Sequence, residues 1–383
     1  MGHDSIEACP NTLPARLRVG VKGSDDPLAH SQLPPLLTTC IGAYPKPDFV
    51  RIPDWFSGPE GPDTPDPTGD WLRAMRAVQS EMDTMLSRGC AQVVQDQEQA
   101  GVDILTDGEV PRENYIHYHC RHLEGIDFSE LARVTLRNGA YAANLPTIRG
   151  PVGAGAPFLL HDWRRAQAFT KRPVKITMPG PMTIADTTVD NHYHDTARLQ
   201  ADLATALNHE VLALAHAGCT HIQVDEPLFA RKPNQALEYG IENVERVFHG
   251  CPPEVVRTLH MCCGYPDRLD NPDYPKADRG SYRTLAGAID ESSVMAVSLE
   301  DAHRHNDLSL LENFESTTVI LGVVAVARSR IEPVEEIRAR LQQALEHIDS
   351  KRLIPAPDCG LGLLGRDLSR AKLGNLCEAA HAL

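Results

Sequence analysis

Val255-Val-Arg-Thr-Leu-His-Met-Cys-Cys-Gly264 opens as a β-branched, apolar run and stops at a glycine, the pattern of a buried strand running into a loop. Seven other runs have this character: Leu36 to Ile41, Val102 to Thr106, Val174 to Met178, Thr220 to Val224, Val294 to Leu299, Thr318 to Val326 and Arg352 to Ala356. Between several of them lie segments whose apolar residues recur at three and four positions, such as Ala197 to Ala217, Pro333 to His347 and Arg366 to Ala382. Alternating strands and helices imply a parallel sheet, and eight such units predict a closed (β/α)8 TIM barrel. A doubly wound open sheet is the alternative, but no Gly-rich phosphate-binding turn follows the first strand.

Two stretches interrupt the alternation. Pro53 to Asp70 is rich in Pro, Gly and Asp and reads as a surface loop over the barrel mouth. Arg112 to Arg172 is an insertion after strand 2, with a hairpin signal at Asn138-Gly139 and a further strand expected around Leu145 to Arg149. Residues 1–35 are polar and proline-bearing without periodicity, so they read as an N-terminal arm, with the barrel occupying 36–383.

Composition sets the biochemical limits. The chain has 383 residues, 42% of them hydrophobic, enough for a large core, and a net charge of -15. That balance argues against nucleic-acid or anionic-membrane partners, which draw on clustered Lys and Arg. Ten scattered cysteines and no apolar stretch of membrane-spanning length predict a cytoplasmic protein.

Four soft-metal ligands fall where the apolar runs end. His260 and Cys262, two apart, project from one side of an extended strand, whereas Cys263 points to the other. Glu300 follows Val294-Met-Ala-Val-Ser-Leu, and Cys359 follows Leu353-Ile-Pro-Ala-Pro-Asp. Two thiols, an imidazole and a carboxylate suit tetrahedral Zn2+, and the C-terminal strand ends are where barrel active sites lie. Each residue also has a framework reading, as a buried small hydrophobe or a hydrogen-bonded histidine. Other polar residues share the barrel mouth: Asp107 and Glu109 after strand 2, Asp225 and Glu226 after strand 4, and Lys46 and Asp48 after strand 1. Glu109 and Asp225 read as functional; for Asp107, Glu226 and Asp48 helix capping or solvation fits as well. His303, His305 and Asp307, directly after Glu300, are candidates for an acid or for groups that orient the metal ligands.

Taken in order, Thr38-Thr-Cys-Ile-Gly-Ala-Tyr-Pro, Thr106-Asp-Gly-Glu, Pro179-Gly-Pro-Met-Thr-Ile, Ile222-Gln-Val-Asp-Glu-Pro, His260-Met-Cys, Ser298-Leu-Glu and Pro357-Asp-Cys-Gly resemble the catalytic barrel of cobalamin-independent methionine synthase and related single-barrel zinc thiol-alkyltransferases. The resemblance covers nearly all of the chain from Leu36 onward. It implies zinc on His260, Cys262, Glu300 and Cys359, and an amino-acid thiol held by Ile41, Glu109 and Asp225. The implied reaction is methyl transfer to a zinc-bound thiolate, with homocysteine as acceptor.

Departures from the family pattern bear on the donor. The family's Ser after Ile-Gly is Ala43 here, its Asp-Ile-His-Ser segment after strand 7 is Ala325-Val-Ala-Arg328, and its pterin-stacking Trp is Thr187. An acid would then come from His303, His305 or the His117, His119 and His122 cluster. A donor other than polyglutamyl folate is expected, and a corrinoid or a corrinoid-bearing protein is left open, as is a homo-oligomeric state. Two alternatives stand beside this reading. One is a thiol lyase or alkyltransferase acting on coenzyme M, which would need Lys46, Arg112 or Arg328 aimed at the site. The other is a non-catalytic zinc-binding barrel.

Overall fold

The computed structural model describes residues 36–54, 66–136, 141–264, 268–271 and 274–383. The expected arm (1–35), most of the Pro53 to Asp70 loop and the Asn138-Gly139 turn lie outside them. The strands are β1 (Leu105–Thr106), β2 (Leu123–Leu136), β3 (Tyr141–Ala154), β4 (Val174–Pro179), β5 (Val189–Asp190), β6 (His221–Asp225), β7 (Val256–Met261), β8 (Ala296–Leu299), β9 (Thr318–Val324) and β10 (Leu353–Pro357). Seven form one parallel sheet in the order β1-β4-β6-β7-β8-β9-β10. Every residue of β4 and β9 is buried, as expected of parallel strands covered on both faces.

The sheet closes through the segment at 36–44. Thr39 bridges Ile104 in parallel on one side, and its N–H donates to Pro355 O at 3.2 Å on the other. The fold is therefore the expected α/β barrel, and the doubly wound alternative is excluded. The first expected strand is cut to a single bridge at Thr39. Its neighbour Thr38 turns both its N–H and its hydroxyl to Asp103 Oδ2, each at 2.8 Å, so a side chain takes the place of a ladder partner.

Helices over Thr196–His216, Val334–Leu345 and Arg366–His381 lie within a few residues of the periodic segments. The long helix Met82–Ala100 stops at Gly101, which has φ 101° and donates its N–H to Gln97 O and Glu98 O, a glycine-dependent C-cap. In the insertion, β2 and β3 pair antiparallel and β5 joins β3 in parallel, giving a separate three-stranded sheet. The strand expected at Leu145 to Arg149 is part of the 14-residue β3. Ala143, Leu145 and Ile148 of β3 are buried, and the strand packs on the helix Thr196–His216.

The loop after β9 is fixed by a buried ion pair. Lys372 Nζ, fully buried, donates to Glu332 Oε2 at 2.8 Å and to Ala325 O at 3.0 Å, while Ala325 N–H donates to Glu332 Oε1 at 3.1 Å. Removing one partner of such a pair leaves an uncompensated charge and costs roughly 3–5 kcal/mol. Lys372→Met is accordingly expected to lower the urea midpoint sharply, and adding Glu332→Gln should recover much of the loss; equal midpoints for Lys372→Met and wild type would refute this.

Candidate active site

Strand register builds the floor of the site. Asp225 on β6 pairs with His260 on β7, and His260 pairs with Ser298 on β8, so three polar side chains enter the barrel mouth in one layer. Cys262 and Glu300 lie just beyond the ends of β7 and β8, and Cys359 just beyond β10.

His260, Cys262 and Cys359 converge, with one ligand atom from each lying within 4.8 Å of the others. Cys359 Sγ is 3.5 Å from His260 Nε2, and Ser298 Oγ is 2.9 Å from His260 Nδ1. The serine engages the far nitrogen, so Nε2 faces the sulfurs, the usual arrangement of a metal-binding histidine. Cys262 and His260 are buried and Cys359 is half-buried. The hydrogen bond from the Cys359 thiol holds Cys262 well below the usual thiol value, and the same bond pushes Cys359 well above it. Burial lowers the His260 pKa, but the hydrogen bond to Cys262 and the charges of Cys262 and Asp225 outweigh it, for a net rise. A thiolate, a thiol and an imidazole at this spacing fit a soft divalent cation.

Glu300 is buried beside this cluster but belongs to a second one, with His303 and Asp358. Its Oε1 accepts from Lys276 Nζ and its Oε2 from Cys263 N–H at 3.2 Å. Cys263 itself points away, its Sγ 3.2 Å from Tyr282 Oη, and burial pushes its thiol up to about 11. Asp358 accepts from Asp301 N–H, Ala302 N–H and His303 N–H and lies 2.6 Å from His303 Nδ1. Because Ala327 N–H donates to His303 Nε2 at 3.1 Å, the imidazole proton sits on Nδ1 and both ring nitrogens are committed. His303 is thus a brace between the loops after β8 and β9. His305 is exposed, 3.2 Å from Asp301 Oδ2, and Asp307 is exposed and caps Ser309. Neither is part of the ligand cluster.

The amino-acid-binding candidates occupy the neighbouring strand ends. Thr177 Oγ1 donates to Glu109 Oε1 at 2.8 Å, and Arg112 donates to Thr177, Glu109 and Asp107 at 2.9, 3.3 and 3.3 Å. Glu109 itself adopts a left-handed backbone (φ 56°) after Gly108 (φ 67°), a conformation a non-glycine residue holds at some cost. Gly42 permits the approach, since a Cβ there would lie 2.6 Å from Glu109 Oε1. Gln223 Nε2 donates to Asp225 Oδ1 at 2.7 Å and to Ile41 O at 2.8 Å, tying two of the expected contacts together. Burial raises Glu109 above the usual carboxylate range, and burial with the nearby Glu109 charge raises Asp225 to about 7 against the pull of His260.

The remaining polar residues at the mouth are framework. Glu226 caps the helix Pro181–Asp186 through Met182 N–H, Thr183 N–H and Thr183 Oγ1, Asp107 pairs with Arg112, and Asp48 is exposed. Thr187 turns its hydroxyl back to Thr183 O, and Ala325, Val326 and Ala327 are buried and apolar. Burial holds His117 down at about 4 and His119 well below its usual value, so both are neutral at physiological pH. Ser298, Lys276, Asp358 and Tyr115 were not singled out as site residues from sequence, and Arg112 was named only as a cation that a sulfonate-bearing thiol would need. Tyr115, half-buried at the start of the helix Tyr115–Cys120, is raised by desolvation and by the charges of Asp225, Cys262 and Cys359. Only Ser298 carried a local signal, two residues before Glu300 on one strand.

Comparisons with known proteins bear on the family and the fold. The family described as "Cobalamin-independent synthase, Catalytic domain" matches residues 59–382. A methionine synthase of Sulfolobus acidocaldarius is 28% identical over 90% of this chain and 91% of its own, and one of Thermococcus kodakarensis 28% identical over 91% and 94%. Among solved structures, a B12-independent methionine synthase from Shewanella sp. W3-18-1 in complex with selenomethionine superimposes with TM-score 0.77 at 29% identity, over 91% of this chain and 97% of that one. With the profile spanning most of the sequence, the chain belongs to the catalytic-domain family of the cobalamin-independent methionine synthases.

Proposed function

We propose that this protein is a zinc-dependent S-methyltransferase that methylates homocysteine to methionine on the barrel of residues 36–383, in the cytosol. Relatives named methionine synthase support methyl transfer as the reaction class. The observation that carries the zinc reading is the convergence of His260 Nε2 and the Cys262 and Cys359 sulfurs, with Ser298 orienting the imidazole. Glu300, one loop away, is the proposed fourth ligand. When bound, zinc supplies the Lewis acidity that lowers the pKa of a coordinated thiol, so that its sulfur is nucleophilic at neutral pH.

The protein's own groups do the binding and orientation. Glu109 and Asp225 offer buried carboxyl oxygens as acceptors for the substrate ammonium, and Gln223 keeps Asp225 in register with Ile41 O. Arg112 and Thr177 fix the Glu109 carboxylate, so little freedom is lost when the amino acid binds. The sulfonate alternative gains no support. Lys46 pairs with Asp54 at 3.1 Å, Arg112 is consumed by Asp107 and Glu109, and Arg328 donates to His303 O at 3.3 Å. Thr187 and the Ala325 to Ala327 segment offer neither a stacking ring nor an acid, which favours a donor other than polyglutamyl folate.

The direct test is metal analysis of the purified protein followed by calorimetric titration of the zinc form with homocysteine and with coenzyme M. Homocysteine binding with proton release supports the proposal; selective coenzyme M binding, or zinc without either thiol bound, overturns it.

Two further outcomes follow from the geometry. Cys262→Ser and Cys359→Ser should weaken zinc binding beyond the roughly 10- to 100-fold expected of an outer partner such as Ser298→Ala, whereas Cys263→Ser should retain metal and activity. Chelator competition reads all four variants, and metal loss in Cys263→Ser would mean that the wrong face of β7 was assigned. The second outcome concerns Asp225. The folded protein holds its proton up to about pH 7 while the unfolded chain releases it near pH 4, so this group costs stability as pH rises through that window. Asp225→Asn should therefore melt above wild type at pH 8, with the difference closing toward pH 5, while losing homocysteine affinity. A lower melting temperature for the variant at pH 8 would contradict this.

A further inference from the structure

Lys276 has no part in the ligand set, yet its position is built from both sides. Ala277 N–H donates to Cys263 O at 2.8 Å, and Arg304 Nη2 donates to Ala277 O at 2.6 Å, so the segment is clamped between the loops after β7 and β8. Gly264 permits this contact, because a Cβ there would lie 2.6 Å from Pro275 O. The Lys276 ammonium lies 4.6 Å from the centre of the Tyr274 ring and contacts Glu300 Oε1, with the two side chains only 14% and 3% exposed. The other carboxylate oxygen is taken by Cys263 N–H. Each Glu300 oxygen therefore has a partner outside the His260, Cys262 and Cys359 cluster.

We infer that Lys276 is a built-in competitor of the metal for Glu300, so that the centre has three committed ligands and a fourth held in reserve by an ion pair. This rests on the zinc reading above. For Glu300 to coordinate a cation, its carboxylate must turn from Lys276, and the ammonium must then find other compensation in a site with little water. The metal's gain from its fourth ligand is reduced by that loss. Lys276 is on this account a positioning residue that weakens metal affinity; the contact is short-ranged and mostly buried, so bulk salt should screen it little.

The test is chelator competition with zinc alone, at pH 8, on wild type, Lys276→Met, Lys276→Gln, Glu300→Gln and the Lys276→Met/Glu300→Gln pair. Lys276→Met is expected to bind zinc about tenfold more tightly than wild type, and Lys276→Gln to shift the same way by less. In the Glu300→Gln background, Lys276→Met should change nothing, because the competition has lost its object. Circular dichroism establishes that each variant is folded, and Lys276→Gln serves if Lys276→Met is not. Wild type that binds zinc while both lysine variants match it, or bind more weakly, overturns this inference and leaves the zinc reading intact. Wild type that binds no zinc overturns both.

Discussion

The site depends on the register of a parallel ladder. Because β6, β7 and β8 pair Asp225 with His260 and His260 with Ser298, a carboxylate, an imidazole and a hydroxyl reach the barrel mouth at one height. A slip of one residue on β7 would turn His260 and Cys262 outward and bring Met261 and Cys263 inward. Leu259 and Met261, both fully buried on β7, oppose that slip, since each would lose its packed position. Core packing and ligand placement are two faces of the same strands.

Around that floor, the loops are joined by side chains that accept several backbone donors at once. Asp358 gathers three consecutive N–H groups after β8 and the His303 ring, and only because residue 322 is glycine can it come so near β9. Arg340 takes Asp301 in a two-pronged contact at 2.7 and 2.8 Å and binds Asn306 O as well. The segment carrying Glu300 is thereby held from the β10 and helix sides together. Such bracing reduces the reorganisation needed when a ligand enters.

The barrel was legible because apolar runs and helical periodicity are local properties, and the ligand types stood out at the ends of those runs. The first stave was not, since what shortens it is a contact between Thr38 and Asp103, 65 residues apart in the chain. The same holds for His303, which reads as a candidate acid until Asp358 and Ala327 N–H, from two other loops, are seen to occupy both of its nitrogens. Lys276 sits in a polar, proline-bearing stretch with no periodicity, so nothing nearby in sequence links it to Glu300. Arg112 likewise reads as a possible sulfonate partner until Asp107, Glu109 and Thr177 are seen to surround it. What sequence conveyed was which strand ends carry chemistry; the partners that restrain those groups were set by tertiary contact.

The Cys262 and Cys359 pair has a further consequence. A sulfur anion beside a neutral thiol is the reactant pair of disulfide formation once an oxidant is present, and here Cys359 is the more accessible member. Bridging requires the two sulfurs, which lie within 4.8 Å of each other, to close to about 2.05 Å. Whenever no ion occupies the centre, its binding capacity is thus exposed to oxidation, and the metal acts as a protecting group for the sulfurs that hold it.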